Sequence, residues 1–275
     1  MTPTVTLNDG TALPVIGLGT VQSEGEDMAA TVTAALSSGY RLIDTALRYE
    51  TEPGVGRAVA ASSVPREDIL ITTKIPGRLH GYDEAKESAR TSLDNLGVDY
   101  IDLLLIHWPL PKVDNYIDTW RAMIDLQKEG VVRSIGVSNF TAAHLDRLVS
   151  ETSVVPSVNQ IELHPYFPQA DLRAYHAEHG IVTESWSPLG RGSELLTAPP
   201  VAEAAAAHGV SEGQVVLRWH IQLGAVPLPK SSNPDRQKQN LDIFGFELTD
   251  DEMVAISGLE RGRIWGQDPD VYEEF

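Results

Sequence analysis

Four side chains at the ends of apolar segments have the types and the spacing needed for acid–base chemistry. Asp44, Tyr49, Lys74 and His107 each stand at or just after the end of such a segment. Taken alone, each has an ordinary structural explanation: a helix cap, a packed ring, a solvated strand end or a structural hydrogen bond. If the segments are neighbouring strands, their ends bring a carboxylate, a phenol, an ammonium and an imidazole to one place.

These four groups form a consistent chemical set. A free tyrosine has a pKa of about 10, which is too high for efficient proton exchange at neutral pH, and a nearby Lys⁺ lowers that pKa. Asp44 can keep a buried Lys74 charged through an ion pair. His107 can then hold a carbonyl oxygen beside the Tyr49 hydroxyl. We therefore predict a proton donor aimed at a polarised carbonyl, which still requires a hydride.

The elements that must position these residues alternate between short apolar runs and amphipathic segments. The chain opens on a predicted hairpin, with strands at 5–7 and 13–16 and a turn at Asn8-Asp9-Gly10. Eight further strands are predicted at 17–18, 42–43, 69–73, 101–106, 132–137, 158–161, 182–185 and 225–227. Helices are predicted at 27–38, 52–60, 82–96, 116–129, 141–150, 171–178, 214–222, 234–243 and 249–258.

This alternation predicts the fold. Eight strand–helix units in 275 residues favour an α/β fold, a (β/α)8 TIM barrel that forms a single domain over residues 1–275, with the N-terminal β-hairpin and an extra C-terminal helix. Thr249 and Glu252 have capping-box spacing at the start of that last helix. Residues 195–208 are predicted to form a loop leading into a short helix, and the tail at 262–275 is predicted to lie across a barrel end.

Composition limits the partners and the chemistry. The formal net charge is −18, and a surface this acidic repels nucleic acid and anionic membranes. No apolar run reaches the length of a membrane span, and no signal peptide is recognisable, so we expect a cytoplasmic protein. The chain has no cysteine, which excludes disulfides, thiolate metal sites and a cysteine nucleophile.

Patterns that suggest other chemistry are incomplete. The glycine pairs at 17–19 and 54–56 both lack the third glycine of a dinucleotide-binding Rossmann turn. His176 and His179 are close enough in sequence to suggest a metal site, but two surface positions on one helix explain them better, and no metal site is predicted. No Gly-x-Ser-x-Gly hydrolase elbow occurs.

Three longer motifs are spread along the chain in order, each at a predicted strand end. They are Gly-Tyr-Arg-Leu-Ile-Asp-Thr-Ala at 39–46, Ile-Gly-Val-Ser-Asn-Phe at 135–140, and Leu-Pro-Lys-Ser at 228–231, the last continuing to Arg236, Gln239 and Asn240. In these motifs the sequence resembles the aldo-keto reductase family. In its short loop after His107 it is similar to compact prokaryotic members of the 2,5-diketogluconate reductase type.

The resemblance implies a role for each matched residue. Asp44, Tyr49, Lys74 and His107 match the catalytic tetrad of the family, with Tyr49 as the general acid in reduction and the base in oxidation. The residues that match cofactor-binding positions are Ser138, Asn139 and Gln160 at the nicotinamide carboxamide, Trp186 against its ring, Ser187, Leu189 and Gly190 near the pyrophosphate, Lys230, Ser231, Ser232 and Arg236 at the 2′-phosphate, and Gln239 and Asn240 at the adenine. The sequence departs from the family at Val21, often Trp or Phe, at Trp186, usually Tyr, and at Gln239, usually Glu.

The residues at 230–236 agree with NADPH as the cofactor. A 2′-phosphate adds negative charge to a protein whose net charge is already −18, so it needs local cations. Lys230 and Arg236 stand beside hydroxyls and a helix start near Pro234, a setting that suits a phosphate. The resemblance therefore implies a monomeric NADPH-dependent reductase of a small-molecule carbonyl substrate, with dicarbonyls and keto-sugars among the candidates, acting by direct hydride transfer.

Two alternatives stay open on the same barrel. A non-enzymatic NADPH-binding regulator would keep the cation cluster and lose the tetrad. A hydrolase or isomerase would use Asp44 and His107 without a nicotinamide. Turnover of a carbonyl with NADPH separates the reductase from the regulator, and tight NADPH binding excludes the hydrolase or isomerase.

Overall fold

An antiparallel hairpin begins the part of the chain that this computed structural model describes, residues 2–21 and 27–274. Strands β1 (Thr4–Thr6) and β2 (Ala12–Pro14) pair antiparallel. Gly10, at a φ of +91°, closes the turn between them, donating from its N–H to the Leu7 carbonyl at 2.9 Å. The predicted hairpin is confirmed. Met1 and Phe275, at the ends of the predicted domain, lie outside the described residues.

Eight parallel strands follow the hairpin and form one sheet in chain order. They are β3 (Leu18–Gly19), β4 (Leu42–Asp44), β5 (Leu70–Ile75), β6 (Ile101–Ile106), β7 (Val132–Ser138), β8 (Val158–Glu162), β9 (Val182–Trp186) and β10 (Val226–Pro227). The eight predicted strands are confirmed, with small shifts at their ends. Backbone hydrogen bonds of 3.1 Å also run from Gly17 N to Pro227 O and from Gly19 N to Pro229 O. The sheet is therefore curled, with these bonds running between the residues around β3 and those around β10.

Successive residues of one strand belong to two different apolar layers. In β6, Leu103 and Leu105 pack among residues of β4, β8, β10 and the hairpin. Leu104 and Ile106 pack instead with residues of the surrounding helices. Because both faces of the strand are covered, its sequence is apolar at consecutive positions.

The hairpin covers the end of the sheet at which the strands begin. Asn8 Nδ2 donates to the carbonyl of Pro156, just before β8, at 3.0 Å. Ser134 Oγ, near the start of β7, donates to Thr11 Oγ1 at 2.8 Å. The opposite end of the sheet, where the strands finish, is thus free of the hairpin and is the end at which the predicted acid–base residues stand.

Ten α-helices accompany the strands in the described residues. They are α1 (Met28–Ser38), α2 (Glu52–Ala60), α3 (Tyr82–Leu96), α4 (Tyr116–Lys128), α5 (Ala142–Thr152), α6 (Ala170–Glu178), α7 (Pro199–His208), α8 (Glu212–Gln222), α9 (Pro234–Leu241) and α10 (Asp250–Ser257). The predicted capping box is confirmed at α10, where Thr249 and Glu252 cap each other. The predicted loop and short helix at 195–208 correspond to a 3₁₀ turn followed by α7. None of the described helices is both long and apolar enough to cross a bilayer.

Candidate active site

A cavity of about 700 Å³ opens at the end of the sheet where the parallel strands finish. Asp44 ends β4, and Tyr49 and His107 follow β4 and β6; all three line the cavity. Lys74, near the end of β5, is buried against Asp44. The structure therefore brings together the four acid–base residues that the sequence singled out.

Lys74 and Asp44 form a buried ion pair. Lys74 Nζ donates to Asp44 Oδ1 at 2.8 Å, to Asp44 Oδ2 at 2.9 Å and to the Thr45 carbonyl at 2.8 Å. Burial lowers the pKa of Lys74, but the charge of Asp44 and the interaction with Tyr49 outweigh burial, and the net pKa is raised. Lys74 is thus held as a fixed positive charge whose N–H groups already have acceptors.

Tyr49 ends a short 3₁₀ turn, Leu47–Tyr49, and its hydroxyl lies 3.3 Å from His107 Nε2. Lys74 Nζ lies 5.1 Å from the centroid of the Tyr49 ring. Lys74 lowers the pKa of Tyr49, as expected, but the net pKa is raised above its ordinary value. Burial raises that pKa more than Lys74 lowers it, and the charges of Asp44 and Glu274 raise it further. Tyr49 is therefore held as a neutral phenol, the form that can donate a proton.

Gln160 connects the ion pair to a second buried carboxyl group. Gln160 Nε2 donates to Asp44 Oδ1 and to Glu184 Oε2, both at 2.8 Å. Burial and then the charge of Asp44 raise the pKa of Glu184 to about 8. Glu184 was not predicted from the sequence, although a carboxylate in the middle of a predicted strand was the signal that could have found it.

Hydrogen bonds join Ser138, which ends β7, Asn139, which follows it, and Trp186, which ends β9. Trp186 Nε1 donates to Asn139 Oδ1 at 2.7 Å. Asn139, at a φ of +64°, donates from Nδ2 to the carbonyl of His107 at 3.0 Å and to Ser138 Oγ at 3.0 Å. The four residues predicted to contact the nicotinamide, Ser138, Asn139, Gln160 and Trp186, therefore all line the cavity.

The loop after β9 lines the rim of the cavity. Ser187, Leu189 and Gly190 are all among its lining residues. Gly190 has a φ of +59°, and a Cβ there would lie 2.7 Å from Ser193 Oγ. The turn that shapes this rim therefore requires glycine.

The predicted 2′-phosphate and adenine residues are only partly brought to the cavity. Lys230 lines it, whereas Ser231, Ser232, Arg236, Gln239 and Asn240 do not. Arg236 Nε donates to Ser231 Oγ at 3.4 Å, beside the start of α9. Ser232, Arg236 and Gln239 are exposed and Asn240 is buried. These five residues lie on and just before α9, outside the cavity wall, and form an outer cluster.

Another part of the cavity wall comes from the C-terminal tail, and its residues were not predicted individually. The rings of Tyr272 and Trp108 lie 4.5 Å apart, and Glu274 reaches His107 and Arg48. The prediction that the tail crosses an end of the sheet is thus confirmed. Arg48 could have been noticed beside Tyr49, but no local pattern marked Glu274.

His176, one of the pair first interpreted as surface residues, is buried, and that interpretation of it was wrong. Its ring nitrogens lie 2.9 Å from Asn159 Nδ2 and 2.9 Å from Thr183 Oγ1, on β8 and β9. Helix α6 turns this face towards the sheet. Among the described residues, no group of three or more His, Asp or Glu side chains could hold a metal ion.

The chain is similar in sequence to known proteins over most of its length. The model of the aldo/keto reductase family matches residues 15–261. The chain is 60% identical over 273 residues to 2,5-diketo-D-gluconic acid reductase B of Corynebacterium sp. (strain SHS752001), with 99% of each chain covered.

Solved structures resemble the chain over nearly its whole length. A mutant of Gox0644 in complex with NADPH superposes with a TM-score of 0.94 at 42% identity, covering 99% of both chains. The Bombyx mori aldo-keto reductase in complex with NADP gives a TM-score of 0.91 at 36% identity, covering 100% of this chain and 98% of the other.

Proposed function

Since this chain belongs to the aldo/keto reductase family and is an NADP-dependent oxidoreductase, we propose that it reduces aldehydes or ketones with Tyr49 as the proton donor. The observation that supports this role is the surroundings of the Tyr49 hydroxyl. It faces the cavity 3.3 Å from His107 Nε2, beside the fixed charge of Lys74. A phenol with these two neighbours can give its proton to a carbonyl oxygen and be left as a stabilised phenolate.

Each member of the set contributes differently to the step. Bound NADPH supplies the hydride that goes to the carbonyl carbon. Tyr49 transfers its proton to the carbonyl oxygen, and His107 orients that oxygen from Nε2. Lys74, whose three N–H groups already have acceptors on Asp44 and Thr45, acts through its charge and does not supply a proton itself.

The cavity residues suit the cofactor that the family uses. The hydroxyl of Ser138 and the amides of Asn139 and Gln160 offer donors and acceptors for a carboxamide, and the Trp186 indole offers a flat face for a ring. Lys230, with Arg236 in the outer cluster, supplies cations for a phosphate on a chain of net charge −18. In this assignment Gln239 and Asn240 contact the adenine.

We also propose that the sheet closes into a (β/α)8 barrel in one domain. The bonds from Gly17 to Pro227 and from Gly19 to Pro229 support closure because they link the first and last strands in the manner of a parallel pair. A monomeric state and a cytoplasmic location stay predictions.

The cavity and the named relative support a proposal for the substrate class. A keto-sugar acid such as the one in the name of the Corynebacterium enzyme carries a carbonyl, hydroxyls and a carboxylate. The cavity wall includes Trp108, Trp186 and Trp265 as apolar surfaces and Arg48 and Arg191 as cations. We therefore propose polar dicarbonyls, including keto-sugar acids, as substrates.

Turnover tests the function directly. The native chain is incubated with NADPH and a reactive dicarbonyl, and the decay of NADPH absorbance is followed, with NADH in a parallel reaction. We expect turnover with a preference for NADPH. Binding of NADPH without turnover of any carbonyl would support the non-enzymatic regulator, and no binding would contradict the cofactor assignment.

A further inference from the structure

The side chain of Glu274, in the C-terminal tail, is buried beside the acid–base residues. Its Oε1 lies 2.7 Å from His107 Nδ1 and 2.9 Å from Arg48 Nη1, and its Oε2 accepts from the Gly77 N–H at 3.0 Å. These three residues follow β6, β4 and β5, so one carboxylate connects the ends of three neighbouring strands. Glu274 is only 2% exposed, a degree of burial that is unusual for glutamate.

The carboxylate is ionised in this setting. Burial opposes its charge, but its interactions with His107, with Arg48 and with the Gly77 N–H outweigh burial and lower the pKa of Glu274 to about 2. A buried charge is stable only when it is paired in this way. Glu274 is therefore an anion at every pH at which a reductase would be assayed.

On the proposed function of the site, we propose that Glu274 is a positioning residue: it holds the His107 imidazole from behind, so that Nε2 points at the Tyr49 hydroxyl and the substrate carbonyl. The tail thus completes the acid–base set with a fifth side chain, in the order Glu274, His107, Tyr49. Glu274 contacts His107 directly and acts mainly through it.

The contact with Glu274 restrains the orientation of the His107 ring. With a carboxylate oxygen 2.7 Å from Nδ1, the ring cannot turn freely about its Cβ–Cγ bond. Nε2, 3.3 Å from the Tyr49 hydroxyl, therefore stays on the cavity side of the ring. Without Glu274 the ring is free to rotate.

The anion also acts on Tyr49 at longer range. The negative charge of Glu274 raises the pKa of Tyr49, which favours the neutral phenol. Its removal therefore allows the phenol to lose its proton at a lower pH. Other titratable or charged groups near Tyr49 and His107 are Asp44, Lys74, the buried and uncharged His80, and Arg48 with its neighbour Tyr272; Glu184 acts on Lys74.

The test compares substitutions at two neighbouring positions of the tail. Glu274→Gln keeps the shape and removes the charge. Glu273→Gln makes the same change one residue earlier, on a carboxylate whose Oε1 accepts from the Lys112 N–H at 3.2 Å. Glu274→Asp keeps the charge and shortens the reach. For each variant we measure kcat and KM for dicarbonyl reduction across pH, the Kd for NADPH, and thermal unfolding.

For Glu274→Gln we expect kcat to fall about tenfold, because a small misplacement of a catalytic group is costly. In the plot of kcat against pH, we expect the alkaline limb to move down by about one pH unit. The Kd for NADPH should stay at its native value. Glu274→Asp should lower kcat and leave the alkaline limb near its native pH. Glu273→Gln should match the native enzyme both in kcat and in the pH of the alkaline limb. A limb that does not move in Glu274→Gln, or an equal loss in Glu273→Gln, would overturn the proposal. If instead Tyr49→Phe is fully active, the proposed function itself fails.

Discussion

Lys74→Met separates the structural cost of the buried ion pair from its catalytic use. The substitution leaves the Asp44 carboxylate buried with Gln160 as a remaining side-chain donor, at 2.8 Å. Breaking a buried pair by removing one partner costs about 3–5 kcal/mol, and the Lys74 side chain is fully buried, so solvent does not screen this cost. For a chain of this size the melting temperature should fall by on the order of 10 °C.

The double substitution Asp44→Asn with Lys74→Met should recover most of this loss. It removes both charges together, and such replacements are often close to neutral in stability. Reductase activity should nevertheless stay at least about a hundredfold below native, because no charge remains to stabilise the Tyr49 phenolate. Urea unfolding and NADPH oxidation are measured on both variants.

Lys86→Met is the matched control, since Lys86 pairs with Glu129 at the surface and should leave stability and activity near native. Two results would refute the reasoning. A Lys74→Met variant as stable as native would mean that the pair is not desolvated. A double variant that regains activity would mean that the charge of Lys74 is not used in the reaction.

Two further predictions concern the outer cluster and the buried carboxyl group of Glu184. Arg236→Ala should raise the Kd for NADPH about tenfold and leave the Kd for NADH unchanged. Lys238→Ala, on the same helix, is the control. An equal rise in the Kd for both cofactors would contradict the contact with the 2′-phosphate. The pKa of Glu184 is raised from 4.5 to about 8, so its protonated form stabilises the fold fully below about pH 4.5. This contribution, roughly 5 kcal/mol, is lost as the pH rises from about 4.5 to about 8. Glu184→Gln should remove that pH dependence in urea unfolding between about pH 5 and 8; an unchanged slope would show that another group causes it.

The acid–base residues could be predicted because strand direction decides where they lie. Asp44, Lys74 and His107 each stand at or near the end of an apolar run, and in a parallel sheet all such ends meet on one side. The same periodicity predicted the strands, since the runs are apolar on consecutive residues when both faces are covered. The information that these predictions required lies in short stretches of sequence, so it could be read without the structure.

The contributions that were missed depend on contacts between distant residues. Glu274 is 197 positions from Gly77, whose N–H it accepts, and the tail around it has no periodicity to suggest burial. The direction of the Tyr49 pKa depends on how completely the phenol is buried, which no sequence pattern measures. His176 was misinterpreted because helix α6 is short and its buried face carries a histidine bonded to two strands.

The most direct test of the account is the effect of Tyr49→Phe on single turnover of NADPH with a dicarbonyl. The substitution removes one oxygen and leaves the ring packing and the Lys74–Asp44 pair in place. We predict that the rate of NADPH oxidation falls by about 10²–10⁴-fold while the Kd for NADPH stays within about twofold of native. A variant that keeps most of the native rate would contradict Tyr49 as the proton donor.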